Sequence, residues 1–186
     1  MSDLSTILTK LKSKIESNLD EKRISMISTW LDVWCKYIEE ERTFNPNLRR
    51  NYSPGDIVSV CMGFNIGSEQ GGNRPAIVLG RTSRTSKTII VVPLGSLRPE
   101  DNASKLRPFE HFIGALEDFN KSANKPTGTR SKAILNQIKA ISKQRIIRPT
   151  SDKDQCLNIG LDNLKILEKS VVNFITTQVT IQDVTE

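Results

Sequence analysis

Apolar residues change their spacing twice along the chain. From Leu4 to about residue 42 they recur at helical intervals: Leu4, Leu8, Leu11 and Ile15, then Ile24, Ile27, Leu31, Trp34 and Ile38. The two registers do not join across Asn18 to Arg23, so the pattern predicts a helical hairpin or kinked helix, with Asp20 as N-cap of the second half. Phe44 to Pro54, carrying Pro46 and Pro54, reads as a linker. Short β-branched runs follow at Ile57 to Met62, Ala76 to Leu79, Thr88 to Pro93, Phe109 to Ile113 and Lys132 to Ile141, divided by Gly, Asn, Ser and Pro. They predict a compact antiparallel sheet or small barrel. From Leu161 the helical period returns, with Leu164, Leu167, Val171, Phe174 and Ile175 on one face. The order of helices, strands and helix, without alternating βαβ units, predicts an α+β fold and argues against a parallel doubly wound sheet.

Charge adds the first functional hint. The chain carries a formal +6, and it is uneven. Residues 1 to 50 hold nine Lys/Arg against eight Asp/Glu, whereas the rest holds eighteen against thirteen. From Lys121 to Arg148 there are eight basic residues and no acid. Such a stretch releases counterions on meeting a phosphate backbone, so nucleic acid is a natural partner; a solvated face is the plainer reading. No apolar run reaches the roughly 20 residues needed to cross a bilayer, and the first residues lack a signal-peptide pattern. A cytoplasmic protein without membrane attachment is the expectation. Cys35, Cys61 and Cys156 lie far apart, and His111 is the sole histidine, so reduced thiols and no structural zinc are expected. His111 reads as a partly exposed structural histidine in a strand, and Trp30 and Trp34, at i and i+4, as packing residues.

The segment Gly67 to Gly80, GSEQGGNRPAIVLG, resembles the signature of MazF/PemK toxins, with Gly67, Glu69, Gly72, Arg74 and Pro75 in place. Pro54 to Val58 resembles the opening strand of that family, and Ser131 to Ile146 its late strand and following turn. Three collinear motifs spanning roughly residues 53 to 178 make the resemblance specific. It implies an SH3-like antiparallel β-barrel with a C-terminal helix at residues 54–178, behind a helical extension at 1–45 and a linker at 46–53, with a tail at 179–186. It further implies a type II toxin-antitoxin toxin, usually a homodimer and restrained by a cognate antitoxin. Such a toxin cuts single-stranded RNA without metal or other cofactor, leaving a 2′,3′-cyclic phosphate and a 5′-hydroxyl.

That reaction needs a group to take the 2′-hydroxyl proton, one to protonate the leaving 5′-oxygen, and positive charge over the equatorial oxygens. Arg74 suits the last role: its guanidinium is a planar fork of donors and a poor base. Pairing with a carboxylate to pin the loop is its plainer reading. Glu69, five residues earlier on the glycine-rich loop, could orient Arg74 or accept a proton. The family commonly places a catalytic threonine where this chain has Gly95, in Val92-Pro93-Leu94-Gly95-Ser96, so Ser96 supplies a hydroxyl only if the loop shifts by one residue. Asn136 likewise stands where several relatives carry an acid before Gln137. Candidate RNA contacts are Gln70, Asn73, Arg81, Gln137, Lys139, Lys143 and Arg145. The loops between Ser96 and Arg130 are expected to flank the groove. The alternatives are a binding module that has lost cleavage, as Gly95 and Asn136 suggest, and a gyrase-directed toxin on the same fold, as in CcdB. The N-terminal helices read as packing or a second dimer contact, or as a regulatory segment.

Overall fold

The computed structural model describes residues 3–97 and 101–176, so the expected tail at 179–186 lies outside them. The chain divides into two compact units, Met1–Phe44 with Met62–Gly72, and Asn45–Cys61 with Asn73–Glu186.

The first unit begins with α1 (Leu4–Asn18) and α2 (Glu21–Glu40). Each starts at an aspartate that satisfies an otherwise orphaned amide. Asp3 accepts from the Thr6 N–H at 2.7 Å, and Asp20 from the Arg23 N–H at 2.8 Å, as its place in the sequence predicts. Neither helix has a buried residue. Trp30 meets the edge of Tyr37 with ring centroids 6.2 Å apart. The glycine-rich segment Met62–Gly72 segregates with these helices rather than with the sheet, because its hydrogen bonds turn inward. The Met62 N–H donates to the Gly72 carbonyl and the Gly72 N–H to the Gly63 carbonyl. Asn65 Nδ2 donates to the carbonyls of Met62 and Gln70, tying the loop's middle. Gly71 is required here, since a Cβ would sit 2.9 Å from the Gly63 carbonyl oxygen. The Arg23 guanidinium of α2 lies 5.5 Å from the centre of the Phe64 ring.

The second unit is an antiparallel sheet of eight strands: β1 (Asp56–Cys61), β2 (Asn73–Val78), β3 (Thr88–Ser96), β4 (Glu110–Ala115), β5 (Arg130–Ile134), β6 (Lys139–Ser142), β7 (Ile146–Arg148) and β8 (Leu157–Asn158). The pairing path is β4-β5-β3-β2-β1-β7, with β6 on β3 and β8 on β1. β4 and β7 end the path, so the sheet does not close fully on itself, and with its helices it is consistent with the expected SH3-like α+β fold. Two helices complete the unit, α3 (Glu117–Ser122) and α4 (Leu161–Ile175).

Alternation along the strands divides the apolar residues between two faces. Ile57, Ile77, Val92, Leu94 and Ala133 share a core with Phe119 of α3 and with Leu164 and Leu167 of α4. Burying an aliphatic side chain contributes about 1.5–3 kcal/mol, so Leu164 and Leu167 suffice to seat α4. The intervening residues Val58, Val60, Ala76, Val78 and Val91 are also fully buried, on the opposite face. The apolar run expected as one strand from Lys132 to Ile141 is broken by a 3-10 turn at Leu135–Gln137, which separates β5 from β6 along the same edge of β3.

Candidate functional site

Arg74 is the second residue of β2, not a loop residue. The ladder to β1 runs through Val60↔Arg74 and Cys61↔Asn73, so the strand begins inside the glycine-rich motif. Its side chain is exposed at this end of the sheet, beside an exposed Asn73. Because Ile77 points into the helix-covered core, Ala76 and Arg74 face the other way. Glu69 is exposed and Gln70 half-buried, both on the Met62–Gly72 segment of the first unit.

β3 decides where a hydroxyl could act. Its pairing with β5 is regular through Leu94↔Ala133, Gly95↔Lys132 and Ser96↔Ser131, with no slip of one residue. Leu94 is in the core, so Ser96 follows it on that face while Gly95 lies on the face of Arg74. Ser96 is therefore not brought to Arg74. Its Oγ instead accepts from Lys125 Nζ at 2.9 Å. Lys125 is aimed there by the end of α3: Asn124 takes φ 51°, the Lys125 N–H donates to the Asn120 carbonyl and the Asn124 N–H to that of Lys121. The ammonium sits 4.8 Å from the centre of the Phe119 ring, and burial pulls its pKa below the usual lysine value. Lys125 and Phe119 line a cavity of about 620 Å³ that also takes in Ser59, Pro75 and Arg148.

At Gly95 itself a Cβ would meet Ile134 Cδ1 at 3.4 Å and the Lys132 Cγ and Cε at 3.6 Å. The lysine stem thus lies across the glycine. Its ammonium is held 2.8 Å from Glu110 Oε1, with the two side chains 18% and 10% exposed. Burial pushes the Glu110 carboxyl up, but the hydrogen bonds from Lys132 and from the Arg107 N–H outweigh it and hold the pKa below the usual glutamate value.

The other expected RNA contacts scatter. Lys139 is half-buried opposite Val91, and Gln137 lies in the 3-10 turn before it, nearer the Arg74 end of the sheet. Arg81 follows β2 at its other end, about 20 Å of extended chain from Arg74. Arg145 is half-buried in the turn before β7. Lys143 corrects the reading of the basic stretch. It is 0% exposed, its Nζ donates to the Ser83 carbonyl at 2.7 Å, and it lies 6.0 Å from the centre of the Tyr52 ring, so it cannot touch RNA. His111 is half-buried, and burial lowers its pKa. All three cysteines are free. Among the described residues no group of His, Cys, Asp and Glu could hold a metal ion, and no helix is long and apolar enough to cross a membrane. Sequence reasoning passed over Lys132, Phe112 and Lys125 as individuals. Cross-strand pairing brings out Lys132 and Phe112, and the bond to Ser96 brings out Lys125.

Two solved structures are similar in fold. One, an endoribonuclease in complex with its cognate antitoxin from a mycobacterial species, is 11% identical and covers 67% of this chain and 94% of its own, at a TM-score of 0.42. The other, MazF from Deinococcus radiodurans, is 18% identical and covers 68% of this chain and 97% of its own, at a TM-score of 0.46. No curated protein matches. Residues 53–158, more than half of the chain, match the family described as the PemK-like, MazF-like toxin of type II toxin-antitoxin systems. With the motif residues Pro54 to Val58, Glu69, Arg74 and Gln137 inside the matched span, the chain belongs to that family, whose members are known as endoribonucleases.

Proposed function

We propose that the protein is an endoribonuclease toxin that cuts single-stranded RNA by attack of the ribose 2′-hydroxyl on the adjacent phosphate. The 2′-oxygen–phosphorus bond forms as the bond to the 5′-oxygen breaks, leaving a 2′,3′-cyclic phosphate and a 5′-hydroxyl. The observation that carries this reading is the exposure of Arg74 at the head of β2, on the face of the sheet shared with Gly95. There its guanidinium can cover two equatorial oxygens as their charge grows. Glu69, exposed and in the same sequence motif as Arg74, is the motif's candidate to take the 2′-proton, and water protonates the leaving 5′-oxygen. Ser96 is given no part in this scheme, since its Oγ accepts from Lys125 on the opposite face.

The reaction needs no metal in this scheme, so cleavage should persist in EDTA. Restraint by an antitoxin, which the type II toxin-antitoxin family supports, and assembly as a homodimer complete the proposal. The deciding experiment incubates the purified protein with a long RNA, maps the cut ends and identifies their chemistry. Arg74→Ala should lower the cleavage rate about 100- to 1000-fold, the usual cost of removing one donor to the developing charge. An unchanged rate removes Arg74 from the mechanism. RNA bound but left whole by the wild-type chain would select the non-cleaving module that Gly95 suggests.

A further inference from the structure

Four residues on four neighbouring strands share one face of the sheet. β4 and β5 pair Phe112 with Lys132, and β5 and β3 pair Lys132 with Gly95. The β2–β3 ladder ends at Ala76↔Pro93, and Arg74 lies two residues beyond it on the side of Ala76, the side on which Gly95 follows Pro93. Directly opposed residues point to the same side. Phe112, Lys132 and Gly95 therefore form a row of roughly 10 Å at about 4.8 Å between strands, and Arg74 stands on the same face beyond its Gly95 end.

Its chemistry reads in order. Phe112 is 40% exposed, on the opposite side of β4 from the buried Ile113. An exposed ring beside a fixed cation is a stacking platform for an unpaired base. Lys132 has three ammonium hydrogens and gives one to Glu110, which fixes the head while two donors remain. Gly95 adds no side chain of its own, and the Lys132 stem and Ile134 Cδ1 lie over it, so a phosphodiester backbone would pass along the Lys132 head and not down onto the glycine.

We propose that this row is a track for one RNA strand, in which Phe112 stacks a base and Lys132 neutralises the phosphate next to the one held by Arg74. Glu110 is a positioning residue that also competes with RNA for the ammonium. The proposal rests on the ribonuclease reading above and adds to it a subsite, with a base-stacking and a phosphate-binding residue.

The test uses the full chain and a short RNA carrying the mapped cut site, made uncleavable by a 2′-O-methyl group on the scissile ribose, with 2-aminopurine at successive flanking positions. Lys132→Gln should weaken binding and reduce the slope of log affinity against log salt by about 0.7, the share of one phosphate contact on a single strand. Glu110→Gln, which removes the competing charge, should instead tighten binding a few-fold. Opposite signs are the signature, because a purely structural ion pair would make both variants weaker. Phe112→Ala should weaken binding about tenfold and abolish the quenching of 2-aminopurine at one position, and Phe112→Trp should keep that quenching. If Lys132→Gln does not fold, the Glu110 and Phe112 variants decide. Wild-type slope and quenching in the folded variants would overturn the track while leaving the ribonuclease reading intact. A wild-type chain that neither cuts nor binds RNA would remove both.

Discussion

The ion pair between Lys132 and Glu110 should be coupled in stability as well as in position, and a double-mutant cycle measures this. Opposite charges 2.8 Å apart attract by about 6 kcal/mol at an effective dielectric of about 20. Most of that is offset by the water both groups give up, and the residual exposure of 18% and 10% screens part of the rest. Lys132→Met leaves a carboxylate in a confined space with only the Arg107 N–H to satisfy it, and should cost about 2–3 kcal/mol. Glu110→Gln keeps one of the two oxygens, so either the Lys132 ammonium or the Arg107 N–H loses its acceptor, at a cost of about 1 kcal/mol. The double variant, with a thioether beside a neutral amide, should be as stable as the single Lys132→Met or up to about 1 kcal/mol more stable, giving a coupling of about 1–2 kcal/mol. Urea denaturation at constant m-value is the assay. Since Glu110 has a folded pKa below its ordinary one, its contribution is complete above the usual glutamate range and is lost as pH falls through the folded value. Wild type should therefore lose more stability on acidification than Glu110→Gln. Strictly additive single variants, or equal acid sensitivity, would refute the idea that the pair acts as a unit.

Two further outcomes follow from buried and strained groups. Tyr52 is almost wholly buried, its hydroxyl donates to the Pro149 carbonyl at 2.7 Å, and its pKa is pushed up to about 12, chiefly by burial. Its stabilising contribution should persist to about pH 10 and fade as pH rises towards 12, and Tyr52→Phe should cost about 1 kcal/mol and remove that alkaline loss, as seen by ultraviolet titration and melting. Asn124→Val places a β-branched residue at φ 51° and should cost about 1–2 kcal/mol, or several degrees in Tm, whereas Asn124→Gly should cost far less; equal melting of the two would show that the turn after α3 has relaxed.

The legible parts of the sequence were those set by local rules. Asp20, followed by an apolar helical period, is enough to start α2, and the repeat from Leu164 to Phe174 is enough to place α4. Pairing was illegible. Arg74 reads as a loop residue because glycines precede it and a proline follows, yet β1 supplies Val60 and Cys61 as partners and extends the strand back to Asn73. The run from Lys132 to Ile141 reads as one strand because no residue in it forbids extension, while three of its residues make a 3-10 turn. Lys143 counted towards a basic surface. Charge tallies do not know that the Ser83 carbonyl and the Tyr52 ring enclose it. The side on which Ser96 acts depended on whether β3 slips by a residue, and only the regular ladder to β5 answers that.

The self-stitched hairpin from Met62 to Gly72 carries a consequence for how this protein can be taken apart. Its Phe64 is roofed by Arg23 of α2, so trimming away the helices would unroof an aromatic ring in the segment that bears Glu69. Extension and hairpin form a single cassette: whoever grafts, deletes or swaps one of them inherits the fate of the other.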